Sequence, residues 1–103
     1  MAIQYKRILL KVSGEALSGA KVTGFDEATI ASICAGIKAA HDLGVQIGIV
    51  VGGGNFWRGR SSGKMDRMDA DKIGMLATVM NALAVKDALR QQGVPAVVMT
   101  SSF

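Results

Sequence analysis

Apolar and polar positions along the chain fall into three short apolar runs and two longer stretches of helical periodicity. Ile8-Leu9-Leu10-Lys11-Val12 reads as a buried strand that stops at Ser13-Gly14-Glu15. Ala16 to Gly24 is small and irregular, with Gly19 and Gly24 as breakers, and predicts a loop. From Asp26, which can cap a helix with Glu27 favourable in its first turn, Ile30, Ile33, Cys34, Ile37, Ala40 and Leu43 recur at helical spacing until Gly44. Val45 to Val51 reads as a second, fully buried strand and delivers Gly52-Gly53-Gly54-Asn55. A second helix is predicted from about Asp69 to Gln92, closed by Gly93 with Pro95 beyond, and Ala96-Val97-Val98-Met99 starts a third strand.

The order strand, helix, strand, helix, strand predicts an α/β fold. It favours right-handed crossovers, a parallel sheet, and ligands at the carboxyl ends of the strands. The second helix is apolar nearly all round, through Ile73, Met75, Leu76, Val79, Met80, Leu83, Val85 and Leu89. Such a helix must be covered on more than one face, by another subunit or by a further part of the protein. Phe103 falls where another strand-to-helix junction should begin, so residues 1–103 are expected to be the truncated amino-terminal part of a longer domain.

Composition narrows the classes. At 50% hydrophobic and 19% charged residues the chain is too apolar for disorder. The net charge of +4 is local: Arg58, Arg60, Lys64, Arg67 and Lys72 crowd one stretch, with Asp66, Asp69 and Asp71 among them. Aromatic residues are few and do not alternate with basic ones, so no nucleic-acid partner is expected and a small anionic ligand suits the basic loop better. Neither a signal peptide nor a bilayer-length apolar segment is visible, so a cytoplasmic location without membrane contact is expected. Cys34, the single cysteine, and His41, the single histidine, make neither an internal disulfide nor a zinc cluster.

The candidate chemistry lies at the two strand ends. Three consecutive glycines remove every Cβ, letting the backbone take positive φ and an anion approach its N–H groups. If a helix follows, its unpaired N–H donors aim at the same loop, and Arg58 adds a fork that matches phosphate oxygens. The bland reading is a tight turn that needs glycine for its dihedrals. Gly59 to Met65 superficially suggests a P-loop but has one residue too few between its glycines and no hydroxyl residue after Lys64. No GxGxxG is present. What remains is a pair of junctions, Lys11-Val12-Ser13-Gly14 and Gly52-Gly53-Gly54-Asn55, which a parallel sheet would place on one edge. Two anion seats side by side meet the requirement of phosphoryl transfer between nucleotides, where positioning and charge neutralisation dominate. Lys11 stands open between such a role and that of a snorkelling strand-end lysine.

These residues carry a resemblance. Lys11-Val12-Ser13-Gly14-Glu15-Ala16-Leu17, then Gly52-Gly53-Gly54-Asn55 with Arg58-Gly59, then Asp71 with Gly74-Met75-Leu76-Ala77-Thr78 and Asn81, resemble the bacterial uridylate kinases of the amino acid kinase superfamily. The resemblance covers essentially the whole chain in order. It implies a three-layer αβα sandwich with a mainly parallel sheet, and an ATP- and Mg²⁺-dependent enzyme converting UMP to UDP. It further implies that Lys11, Val12, Ser13 and Gly14 line the ATP phosphates, with Lys11 as the catalytic residue neutralising the transferred group. Gly54 and Arg58 would also serve ATP, and Gly53 would face UMP. Asp71 would accept hydrogen bonds from the uridine ribose; the alternative for Asp71 is helix capping or first-turn dipole stabilisation. No protein metal ligand is implied. Gly19, Ala20, Lys21, Val22, Thr23 and Gly24 match the region linked to GTP activation, with UTP a further possible effector, while Lys86 stands where some members carry arginine.

Members of that family are hexameric and longer. Their remainder supplies the adenine pocket, further UMP contacts and an acidic residue at the transfer site, so this chain alone is expected to turn over poorly or not at all. Two other readings stay open: a relative in the same superfamily phosphorylating a small carboxylate, and a non-catalytic nucleotide-binding or oligomerisation module.

Overall fold

A computed structural model of the protein describes residues 6–21, 23–56 and 66–99. Its element order is β1 (Arg7–Val12), α1 (Gly14–Ser18), α2 (Glu27–Asp42), β2 (Gln46–Val51) and α3 (Arg67–Gln91). β1 and β2 pair in parallel, from Arg7 opposite Gln46 to Val12 opposite Val51. This is the α/β, parallel arrangement that the element order predicts. The Gly52 N–H donates to the Val12 carbonyl at 3.2 Å, so the ladder continues past the last paired residues. Both strands therefore end level, and the two glycine junctions leave from the same edge.

Four of the five elements were predicted. The exception is α1, which occupies Gly14–Ser18 where the residues from Ala16 onward predict an irregular loop. Five residues cannot hold a helix by propensity. Here the Ser13 side chain accepts from the Ala16 N–H at the helix start. Leu17 is fully buried, and burying one leucine contributes about 2 kcal/mol. The Ala96–Met99 run is a second departure: it belongs to no ladder among the described residues, whose sheet has two strands. An apolar groove of about 740 Å³ is lined by Ile47 and Ile49 of β2, Val79 and Ala82 of α3, and Val97 and Met99.

α2 begins as its sequence predicts. Asp26 Oδ2 accepts from the Thr29 N–H at 3.1 Å and from its hydroxyl at 2.5 Å. The helix ends at Asp42, and the chain turns away through Gly44, whose φ of +89° suits glycine. The core joins Leu17, Ile30, Cys34 and Ile37 to Val85 and Leu89 of α3 and to Val12 and Val51 at the strand ends. Cys34 is fully buried and its Sγ lies 3.9 Å from the Val85 carbonyl, so desolvation pushes the thiol pKa up. This is the small core residue that the α2 face calls for, not a nucleophile.

Helices cover one face of the sheet among the described residues. The strands are thus half-buried rather than fully buried: Leu10, Val12, Ile47, Ile49 and Val51 turn to the core, whereas Leu9 is 77% exposed. α3 also leaves Met68, Leu76, Met80 and Leu83 exposed, as its nearly all-round apolar sequence requires. No helix among the described residues is long and apolar enough to cross a membrane.

Candidate nucleotide-phosphate site

The two junctions touch. A Cβ at Gly14 would lie 2.5 Å from the Gly54 nitrogen, 2.8 Å from Asn55 Oδ1 and 2.9 Å from the Gly53 carbonyl carbon. Real side chains do not approach so closely, so glycine at position 14 is what allows the junctions to meet. A Cβ at Gly53 would meet the Ala77 Cβ at 3.0 Å, the Gly74 carbonyl oxygen at 3.1 Å and the Thr78 nitrogen at 3.2 Å. One at Gly54 would run into the Glu15 carboxylate. The loop glycines serve close approach, not unusual dihedrals: the positive-φ glycines among the described residues are Gly19, Gly24, Gly44 and Gly93. The expectation of positive φ at Gly52–Gly54 is corrected accordingly.

Nor do the described residues run from the glycine loop straight into a helix. Gly54-Asn55-Phe56 form a turn, closed by the Phe56 N–H donating to the Gly53 carbonyl at 3.1 Å. Arg58 and the basic stretch through Lys64 lie outside the described residues, as does Val22. α3 begins at Arg67, two residues before its predicted start, with Asp66 in the cap position but making no side-chain cap bond.

Asp71 is exposed and sits as the fifth residue of α3, past the cap and first-turn acid Asp69, so helix capping does not account for it. Its spacing to Gly74, Thr78 and Asn81 places all four along one stripe of the helix. That stripe is the one pressed against Gly53. The loop thus divides: Gly53 packs on α3, one turn from Asp71, and Gly54 packs on Gly14 and Glu15 at the start of α1. Lys11 is exposed on β1 near the same edge. Ser13 spends its hydroxyl on the Ala16 N–H, accepting at 3.2 Å. The Glu15 carboxylate beside Gly54 is a negative group at the seat, and an anion there must move it or share the space with it.

The Gly19–Gly24 region reaches the same loop. Gly19 takes φ +56° against the Asp26–Thr29 cap, Ala20 is exposed, and the Lys21 ammonium donates to the Phe25 carbonyl at 2.9 Å. The Thr23 hydroxyl and the Gly24 N–H both donate to the Asn55 carbonyl, at 2.6 and 3.1 Å. Phe25 and Phe56 meet edge to face at 5.1 Å.

Asn55 and Asn81 belong to the motifs in the sequence, which give their side chains no role. They form a reciprocal amide pair: Asn55 Nδ2 donates to Asn81 Oδ1 at 3.0 Å, and Asn81 Nδ2 to Asn55 Oδ1 at 2.7 Å. An asparagine in the middle of an apolar helix is the signal that could have pointed to them, since polar groups are buried only with partners.

A family model described as the amino acid kinase family matches residues 6–103. The chain is 54% identical over 101 residues to a uridylate kinase of Pediococcus pentosaceus, covering 96% of this chain and 42% of that protein. A uridylate kinase of Limosilactobacillus reuteri matches equally, at 54% over 101 residues. The chain thus spans about two-fifths of the length of these curated relatives. Among solved structures, a UMP kinase from Bacillus anthracis superposes with a TM-score of 0.79 at 38% identity, over 85% of this chain and 37% of that one. One from Ureaplasma parvum gives 0.78 at 35% identity, over 89% and 40%.

Proposed function

Because the chain belongs to the amino acid kinase family, we propose that it forms the nucleoside monophosphate-binding part of a UMP kinase that phosphorylates UMP with ATP. The observation that carries this reading is the contact between the two strand-end junctions, with Gly14 against Gly53 and Gly54. Two phosphate-bearing ligands seated there would lie close enough for a phosphoryl group to pass directly. Similarity to proteins named uridylate kinase or UMP kinase supports the choice of acceptor.

In this reaction a UMP phosphate oxygen attacks the γ-phosphorus of ATP. The bond from that phosphorus to the β,γ-bridging oxygen breaks, giving UDP and ADP. Charge spreads over the three equatorial oxygens of the transferred group, so cations and N–H donors do most of the work. We assign Lys11 to neutralise that charge and the backbone at Val12, Ser13, Gly14 and Gly54 to the ATP phosphates. Arg58 would add a further cation beside them. Gly53 and Asp71 serve UMP, the carboxylate accepting from ribose hydroxyls. The division of the loop supports this split, since Gly53 turns toward the Asp71 helix and Gly54 toward Gly14. Magnesium enters as the counter-ion of the ATP phosphates. Among the described residues no cluster of three acidic, histidine or cysteine side chains suits a cation, so no residue is assigned to hold it. The reading carries with it GTP and UTP control through residues 19–24, and assembly into a hexamer, which the exposed α3 methionines and leucines support.

Substituting Lys11→Ala in the full-length protein should lower kcat about 100-fold while leaving the KM for UMP nearly unchanged. Equal losses in kcat and UMP affinity would reassign Lys11 to binding. Offering the parent UMP, CMP and small carboxylates in parallel tests the acceptor, and a preference for a carboxylate would overturn the proposal.

A further inference from the structure

The Asn55–Asn81 pair uses every one of its amide hydrogens on the glycine loop and its surroundings. Besides bonding each other, Asn81 Nδ2 donates to the Gly52 carbonyl at 2.6 Å and Asn55 Nδ2 to the Gly24 carbonyl at 3.0 Å. Asn81 is fully buried and Asn55 is 3% exposed. The orientation of both amides is forced, because each nitrogen faces a backbone carbonyl that can only accept. No buried side-chain nitrogen or oxygen among the described residues lacks a partner, so the network is complete.

Such an arrangement is an awkward way to obtain stability alone. Asparagine is a poor residue for a helix interior, and apolar side chains at both positions would avoid desolvating two amides. What a satisfied buried network supplies is a single geometry. Here it fixes the Gly52 carbonyl from one side and Asn55 from the other, and so sets the peptide planes of Gly53 and Gly54 between them. We propose that Asn55 and Asn81 are positioning residues that latch the Gly52–Asn55 loop to α3 and to the Gly24 turn, in the conformation that receives nucleotide phosphates. This rests on the kinase reading for its substrate, though not for its geometry. Neither side chain need touch a ligand: both act through the backbone they hold.

The test uses the full-length protein with Asn81→Leu, which keeps the branched shape and removes the amide, and Asn81→Ser, which avoids overpacking and decides the matter if the leucine variant does not fold. Hydrogen exchange of the segment 52–56 is read by mass spectrometry beside the thermal melt and steady-state kinetics. A released loop spends less time in the competent state, so kcat/KM for UMP should fall about tenfold, and exchange in the segment should rise about tenfold, in a variant that still melts cooperatively. Exchange and kcat/KM both within about twofold of the parent would overturn the latch. So would a change in one without the other, since faster exchange alone makes the pair merely structural and slower turnover alone points to ligand contact. If the parent does not phosphorylate UMP, the functional reading fails and the exchange measurement alone decides the latch.

Discussion

The two strand ends reach the same place by different means. After β1 the chain turns at once into α1, and the turn is made by neighbours: Ser13 accepts from Ala16 three residues on, and Leu17 drops into the core. After β2 the chain makes only a short turn, and its position is set from far along the sequence, by Asn81 on Gly52 and by Thr23 and Gly24 on Asn55. One seat is built locally and the other is hung from its surroundings. The hydrogen bonds that shape the first turn come from its own residues, with Leu17 anchoring it to the core. The suspended one holds its shape only while α3 and the Gly24 turn stay in place, so its geometry responds to distant change.

Gly14 is where the two meet, and replacing it should have the largest effect. A methyl group at 2.5 Å from the Gly54 nitrogen faces backbone, which cannot swing aside as a side-chain tip can. Gly14→Ala should therefore cost about 3 kcal/mol, as overpacking at a rigid site does, and drive the junctions apart. Urea unfolding measures the first effect and exchange at residues 52–56 the second. Stability and exchange like those of the parent would show that the junctions do not meet as described.

Ser13→Ala strikes only the local seat. It removes the side-chain cap of α1, for which about 1 kcal/mol is the usual loss. The latched loop should keep its slow exchange, because none of its tethers involves Ser13. If exchange at 52–56 rose as much as at 14–18, the two seats would not be separable in the way the hydrogen bonds indicate.

The same contrast explains what could be read from the sequence. β1, β2 and α2 were legible because their signals are local: apolar runs, the 30-33-34-37 spacing, Asp26 at one end and Gly44 at the other. The shared edge followed from the parallel topology, which brings Val12 beside Val51. α1 was missed because five residues are too few for any period to show, and its stability comes from one leucine meeting a core not visible in sequence. The Ala96–Met99 strand was over-predicted, since an apolar run says nothing about whether a partner strand stands within reach. Of the two reasons for the glycine triplet, positive φ does not hold, whereas the missing Cβ does matter at Gly53, where Ala77 and the backbone of Gly74 and Thr78 come close. The amide pair joins residues 26 positions apart, and no local rule relates them.

Acid should separate the two sides by a smaller margin. The tethers of the β2 loop are amides, carbonyls and a hydroxyl, none of which titrates. The β1 side leads instead to Asp26, whose N–H donates to the Leu17 carbonyl at 2.8 Å and whose carboxylate caps α2. The Thr29 hydroxyl and then the Thr29 N–H hold the Asp26 pKa below its ordinary value of 3.8, outweighing the opposing effect of desolvation, with a lesser contribution from the Lys21 charge. A carboxyl whose folded pKa is lowered adds stability above its unfolded pKa and loses it as pH falls through the folded one. Unfolding curves between about pH 5 and pH 2 should thus fall more steeply for the parent than for Asp26→Asn, whose amide oxygen still caps α2 but takes up no proton. The parent should be the more stable of the two near neutrality, and the difference should close in acid. Parallel curves would mean that Asp26 is not linked to folding, and that acid sensitivity arises elsewhere than on the locally built side.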